Sequence, residues 1–277
     1  MNFQFWKTSF LQKAENYWLF GLFLSLLLPL LALFSVAIEK NSTPNKTNFY
    51  LTLTGLFCVL FPIIIQLLKL WSQENFAIGD KFNRWLFYEN SLNIKPPTQR
   101  VLSLLPLSVR AIVEAKTVDP GYFSSTSPCG HKKMLENLME SAYFTSKLAS
   151  FSAFLFSIIV AVSVGLIFIS LYLAFNLQVV DSSMLLQFAL AATAFFSTCD
   201  IFFIRGQYIE LASASDQIFS ECASLLEKEP IDEKQAVITV EEYHLIRVQY
   251  PPILSYIYSW KKDALNASYS KLLEKGK

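Results

Sequence analysis

The sequence predicts an all-α membrane protein: four transmembrane helices in a two-plus-two layout, with a helical cytoplasmic domain built from the middle loop and the C-terminal tail. Three observations predict it. Apolar runs cover residues 17–38, 50–70, 148–175 and 183–204, and a bilayer core of about 30 Å needs only about 20 helical residues to cross it. Charged residues make up 16% of the chain, against about a quarter in ordinary soluble domains, and they are concentrated outside the runs. The polar segments carry apolar residues at helical spacing, without the alternation of strands. The expected layout is a short cytoplasmic N-terminus (1–16), spans one and two (17–70), a cytoplasmic middle segment (71–147), spans three and four (148–204) and a cytoplasmic helical tail (205–277).

The first run is too long for the apolar core of a signal peptide, and no small-residue cleavage site follows it, so it is expected to stay in the protein. Tyr17 and Trp18 at one end of it, and Trp71 after the second run, suit the aromatic belts at membrane surfaces. Pro29 and Pro62 fall inside spans one and two, where a missing backbone donor kinks a helix or gives it a hinge; Pro62 is a candidate gating residue. The connection at 39–49 carries Lys40 and Lys46, and the one at 176–182 carries Asp181. The middle segment is much richer in Lys and Arg, from Lys81 to Lys147, and Arg205, Arg247, Lys261 and Lys262 follow span four. Positive residues near span ends favour the cytoplasm, and an even number of spans returns the chain to the same side. Both termini are therefore expected there. Asn41-Ser-Thr43 and Asn45-Lys-Thr47 match the glycosylation spacing, a pattern that short polar loops produce by chance.

Within the middle segment, residues 101–116 (VLSLLPLSVRAIVEAK) form an amphipathic stretch suited to packing under a helical stalk or to lying on the membrane surface. Residues 120–130 (PGYFSSTSPCG) are rich in turn formers. A helical pattern over 134–147 enters span three without a breaker, and 205–228 leaves span four the same way, with Leu211, Ile218, Phe219, Cys222, Leu225 and Leu226 on one face. Spans three and four are thus expected to continue as a cytoplasmic stalk, and spans one and two to serve as anchors. Pro230 and Asp232 end the stalk. A helix over 233–249 follows, stopped by Pro251 and Pro252, and a last amphipathic helix covers 253–274. Small and hydroxyl residues in spans three and four, among them Ser157, Ser163, Gly165, Ser170, Ala191, Ala192 and Thr198, permit close helix contact and point to self-association.

Enzyme chemistry finds little support. The sequence has no phosphate-binding glycine loop, nucleophile elbow or zinc pattern. The four cysteines, Cys58, Cys129, Cys199 and Cys222, lack metal-ligand spacing and read as free thiols. Of the two histidines, His131 sits beside Lys132 and Lys133, and His244 follows Glu241, Glu242 and Tyr243 on what reads as a solvated helix face. No catalytic residue, metal or cofactor is expected. Asp200 is the one ionisable residue well inside a run; alone there, it reads as pairing near the interface or as a gating residue. No span has the polar stripe of a constitutive channel. A net charge of +1 gives no ground for a DNA or RNA partner. The polar segments do combine Lys81, Arg84, Arg110, Lys116, Lys132, Lys133 and Arg247 with Trp85, Tyr88, Tyr122, Phe123 and Tyr143. Such a set suits an anion or nucleotide, and positive-inside charge explains the same residues.

Three stretches carry a family resemblance: 80–90 (DKFNRWLFYEN), 122–147 (YFSSTSPCGHKKMLENLMESAYFTSK) and 242–266 (EYHLIRVQYPPILSYIYSWKKDALN). In this order around a two-plus-two span layout, the chain resembles the SMODS-associated four-transmembrane effectors of bacterial antiphage defence, encoded beside cyclic-oligonucleotide synthases. The resemblance implies a multi-pass protein of the bacterial inner membrane, controlled by a cyclic di- or oligonucleotide from a partner nucleotidyltransferase. Such an effector self-associates and disrupts the membrane to arrest or kill the cell. The nucleotide would be a regulatory ligand that either activates the protein or holds it off. Arg84, Tyr122, Lys132, Lys133 and Arg247, in or beside the three stretches, are the candidate ligand contacts. Two other classes fit the residues alone: a ligand-independent membrane scaffold, and a small channel or transporter subunit.

Overall fold

A computed structural model describes residues 3–41, 44–95, 123–176 and 181–275. All regular structure among them is helical: α1 (Phe3–Asn41), α2 (Pro44–Leu92), α3 (His131–Asn176), α4 (Asp181–Leu226), α5 (Glu233–Gln249) and α6 (Ser255–Lys275). Among the described residues, α1, α2 and α3 are each long and apolar enough to cross a membrane. The amphipathic stretch at 101–116 lies outside the described residues.

The helices run further than the apolar runs do. Spans three and four were expected to extend into the polar segments, and α3 and α4 have that extent. The helices that contain spans one and two also run past their apolar runs: α1 begins at Phe3 and α2 continues to Leu92. The physical reason is that hydropathy falls after residue 70 while the helical spacing persists. Leu68, Ser72, Phe76, Asp80 and Phe87 are all buried along one continuing stripe. After Ser72 no proline interrupts α2, whose one internal proline is Pro62.

The chain divides into two compact units. The first, here called the polar unit, comprises Met1–Glu15, Gln73–Ser152 and Gln207–Lys277. Its core gathers Phe87 of α2; Met134, Leu135, Leu138, Ala142 and Tyr143 of α3; Ile218, Cys222 and Leu225 of α4; Val240 and Tyr243 of α5; and Tyr269 of α6. On α3 these recur every three or four residues, the spacing that puts them on one face. A second cluster joins Trp6 and Phe10 of α1 to Phe82 and Leu86 of α2, with the Phe10 and Phe82 rings stacked at 5.9 Å. The two helices approach closely there. A Cβ on Gly79 would come within 2.8 Å of Leu11 Cδ2 and 3.3 Å of the Leu11 backbone nitrogen.

Local signals set the ends of the short helices. Asp232 caps α5, its carboxylate accepting from the Gln235 amide at 3.1 Å, which satisfies one of the orphan donors of the first turn. The helix ends at Gln249, before Tyr250-Pro251-Pro252. The first amide of α6, that of Ser255, donates to the buried Glu15 carboxylate of α1 at 2.8 Å, and the Ser255 hydroxyl donates to the same oxygen at 2.9 Å. Tyr208, fully buried, donates to the Pro252 carbonyl at 2.8 Å and fixes the link between α5 and α6.

The second unit, called the apolar unit, comprises Asn16–Ser72 and Ala153–Gly206. Leu24, Leu28, Ile65, Leu68, Ile167 and Ala194 form its core. Its hydroxyl residues satisfy themselves against the backbone one turn earlier: Ser25 donates to Gly21 O, Ser157 to Ala153 O and Thr198 to Ala194 O. This back-bonding suits helices in lipid, where no water completes a hydroxyl. Phe20, Phe23, Phe168, Phe196 and Phe203 instead face outward from the unit.

Candidate functional site

The polar unit contains a cluster of charged and hydrogen-bonding side chains inside its packing, drawn from α1, α2 and α5. Asp80, 1% exposed, takes Arg84 Nε on Oδ2 at 3.1 Å, one turn along the same helix face. Arg84 reaches Glu241 of α5 at 3.5 Å, and the Tyr88 hydroxyl donates to the other Glu241 oxygen at 2.6 Å. Lys7 of α1 is buried and interacts electrostatically with both Arg247 and Asp80. Burial, with Arg247 nearby, lowers the Lys7 pKa to about 7, so near neutrality Lys7 is only part-charged. Arg84 and Arg247 then stand against two carboxylates, Asp80 and Glu241.

His244 lies beside this cluster and corrects the sequence expectation of a solvated helix face: it is 1% exposed. Its ring packs edge-on to Phe87 at 5.6 Å and lies 6.4 Å from Tyr88. The reason is register. Ala236, Val240 and His244 follow one another at four-residue spacing on the buried face of α5, while Glu242 and Leu245 point outward. Burial, together with the nearby Arg84 and Arg247 guanidiniums, holds the imidazole well below its usual pKa. Neither ring nitrogen has a hydrogen-bond partner among the described residues, and the same holds for Asp80 Oδ1. Buried polar atoms are rarely left so, since each costs about 1–3 kcal/mol unless water or a ligand meets it.

Of the five residues proposed as ligand contacts, Arg84 and Arg247 both lie near enough to His244 to lower its pKa. Arg247 also lies over the Tyr243 ring at 6.0 Å. Lys132 and Lys133 sit on the first turn of α3. There, His131 meets Glu233 at the start of α5, at 3.3 Å, about 16 Å along that helix from His244 at 1.5 Å per residue. Tyr122 lies outside the described residues. Its neighbour Phe123 packs edge-on to Phe87 at 5.7 Å, and Ser124 and Ser125 bond to Glu140 and Glu136. Sequence reasoning passed over Lys7 as a site residue, although Lys7, Phe10, Ala14 and Trp18 continue one buried stripe. That stripe was the available signal.

The gating candidates lie in the apolar unit. Asp200 is not alone there: Lys69 Nζ pairs with its Oδ2 at 2.8 Å. The two charges sit 131 residues apart in sequence, so only the fold reveals the pair. Beside them lies a small cavity lined by Trp18, Gly21, Ser25 and Ile204, among others. Arg205 Nε donates to Ser157 Oγ at 2.7 Å. Pro62 stands within α2, which continues through it. Among the described residues no group of three or more His, Cys, Asp or Glu could hold a metal ion.

The class defined by these features is a helical chain with helices long and apolar enough to cross a membrane and a polar unit holding a partly buried charged cluster. Comparison with protein-family models, with curated proteins and with solved structures gave no match.

Proposed function

We propose that this protein is a non-catalytic membrane effector of bacterial antiphage defence, controlled by a cyclic oligonucleotide bound in the polar unit. It sits in the inner membrane with four spans, the fourth from α4, and with both termini in the cytoplasm. It acts as a homo-oligomer that permeabilises the membrane and arrests the cell. The motif order in the sequence supports the family reading. The observation that carries the ligand reading is the buried His244, which lies near Arg84 and Arg247 and whose two ring nitrogens have no hydrogen-bond partner among the described residues.

Arg84 and Arg247, with the part-charged Lys7, stand beside the buried Asp80 and the half-exposed Glu241. They so offer an anion charged partners at a cluster open on one side to solvent. A phosphate would accept from the guanidiniums in charge-assisted bonds, and the half-buried Tyr88 ring beside them would give a base an aromatic surface. A ligand shifts such a protein between states only by binding one of them more tightly. Loosening the Arg84–Glu241 and Tyr88–Glu241 links between α2 and α5 gives nucleotide binding a direct mechanical effect.

Dye-loaded liposomes carrying the purified full chain test this reading. Addition or removal of one cyclic oligonucleotide from a panel should change leakage, and Arg84→Gln with Arg247→Gln should abolish the response while circular dichroism stays unchanged. A response of the double variant equal to that of the parent places the ligand elsewhere. No nucleotide-dependent leakage with any member of the panel rejects the effector reading.

A further inference from the structure

Helix α6 is held against the polar unit along part of its surface. Ile257 and Tyr269 are buried, and the Tyr143 hydroxyl donates to Ser268 at 2.8 Å. Beside Ile257 on the helix surface, Tyr256 and Trp260 are 51% and 67% exposed, one turn apart, with Trp260 keeping one edge on Phe151. Exposed Lys262 follows, and Lys261 lies over the Phe151 ring at 4.2 Å and the Trp260 ring at 4.9 Å. An outward Trp and Tyr beside lysines combine apolar bodies with polar or charged tips. Water does not favour such a surface; the headgroup layer of a bilayer does.

The contacts of α6 give its level along the other helices. Trp260 packs on Phe151 at 5.3 Å, and nine residues later Tyr269 packs on Tyr143 at 5.2 Å, so α6 runs antiparallel to α3. Its first residue is bound by Glu15, and the turn before it by Tyr208. Glu15 stands two residues before the apolar run at 17–38, Phe151 lies in the first turn of the run at 148–175, and Tyr208 follows the run at 183–204 by four residues. Three separate helices therefore place the start of α6 where their own apolar runs begin or end.

We propose that the first two turns of α6 lie in the lipid headgroup layer, with Tyr256 and Trp260 against lipid and Lys262 toward the phosphates of anionic lipids. The occupant of this face is the bilayer itself, and the assignment rests on the membrane-spanning reading above. Lipid contact at this point bears on Glu15, Tyr208 and the α5–α6 link, and so tethers the polar unit to the membrane surface independently of any ligand.

Tryptophan quenching in the full chain tests it. Protein reconstituted into phosphatidylcholine–phosphatidylglycerol vesicles is compared with Trp260→Phe, which keeps a ring on Phe151, and the difference emission isolates Trp260. That emission should be quenched by lipid brominated on the acyl chain near the headgroup and resist aqueous iodide. Quenching by iodide alone overturns the assignment in favour of a solvated face, and quenching by neither overturns it in favour of a protein partner or a second copy. A Phe168→Trp reporter within the third apolar run separates the two levels of failure. If that reporter is quenched by brominated lipid and Trp260 is not, only the placement of α6 falls. If neither responds, the membrane-spanning reading falls with it.

Discussion

In the polar unit Leu135 and Leu138 of α3 are fully enclosed by neighbouring helices; further along the same helix, in the apolar unit, Phe168 leaves 68% of its surface uncovered. One helix thus uses apolar side chains in two ways. Where water is the solvent, burial of a leucine-sized side chain stabilises by about 1.5–3 kcal/mol, so the apolar stripe turns inward and charges cover the rest. Where lipid is the solvent, that driving force between helices is absent, and association depends on close packing of small residues and on polar contacts. The apolar unit fits this: Ala194 sits in its core, a Cβ on Gly21 would meet Leu68 Cβ at 3.7 Å, and its charged contacts include Lys69–Asp200. Residue type alone does not reveal which rule applies. The neighbours along the helix do.

Matched truncations would break or sharpen this contrast most strongly. Leu138→Ala should cost about 2–5 kcal/mol, as core truncations do, while Phe168→Ala should change stability by less than about 0.5 kcal/mol. Chemical unfolding in detergent measures both, and equal losses would refute the division into a water-driven and a lipid-driven unit. Gly79→Ala comes next, at about 1–3 kcal/mol, because its new methyl group meets Leu11 at 2.8 Å. Gly165→Ala in the apolar unit, where nothing lies within 4 Å, should be neutral or stabilising.

A smaller effect is expected from the Lys69–Asp200 pair, whose side chains are 28% and 44% exposed. A double-mutant cycle with Lys69→Met and Asp200→Asn should give a coupling of about 0.5–1 kcal/mol in detergent. A coupling indistinguishable from zero would mean that the pair does not hold α2 to α4. The smallest effect concerns pH. His244 has a folded-state pKa below the ordinary 6.5, so the unfolded chain binds the proton first as pH falls. Stability is therefore retained above about pH 6.5 and declines below it. His244→Phe should flatten the acid limb of the stability profile measured by thermal unfolding, and an unchanged limb would assign acid sensitivity to other groups.

Much of this organisation was legible because local signals govern it. Asp232, Pro251 and Pro252 mark the ends of α5, and the stripe of Leu211, Ile218, Cys222 and Leu225 on α4 is the one the structure buries. The persistence of α2 to Leu92 was harder to see, since falling hydropathy after residue 70 masks an unbroken helical spacing. The site was least legible. Glu241 and Glu242 make the approach to His244 look like a wet surface, yet a shift of one or two positions on a helix takes a side chain from water to core. Lys69 and Asp200 each look ordinary near a span end; their pairing depends on which helices adjoin, and nothing local encodes that. Arg84 and Arg247 were singled out by motif and charge, whereas Lys7 was masked by its place near the start of the chain.

The discontinuous make-up of the polar unit has a consequence for how the protein is made. Its three segments, Met1–Glu15, Gln73–Ser152 and Gln207–Lys277, emerge from the ribosome far apart in time, separated by both halves of the apolar unit. Domains ordinarily fold in the order of their synthesis, but this one lacks Val240, Tyr243 and Tyr269 of its core until the last segment is translated. The apolar runs are therefore all synthesised before the polar unit can be completed. A ribosome stalled before residue 233 would leave a chain whose apolar runs are complete and whose charged cluster still lacks Glu241, His244 and Arg247.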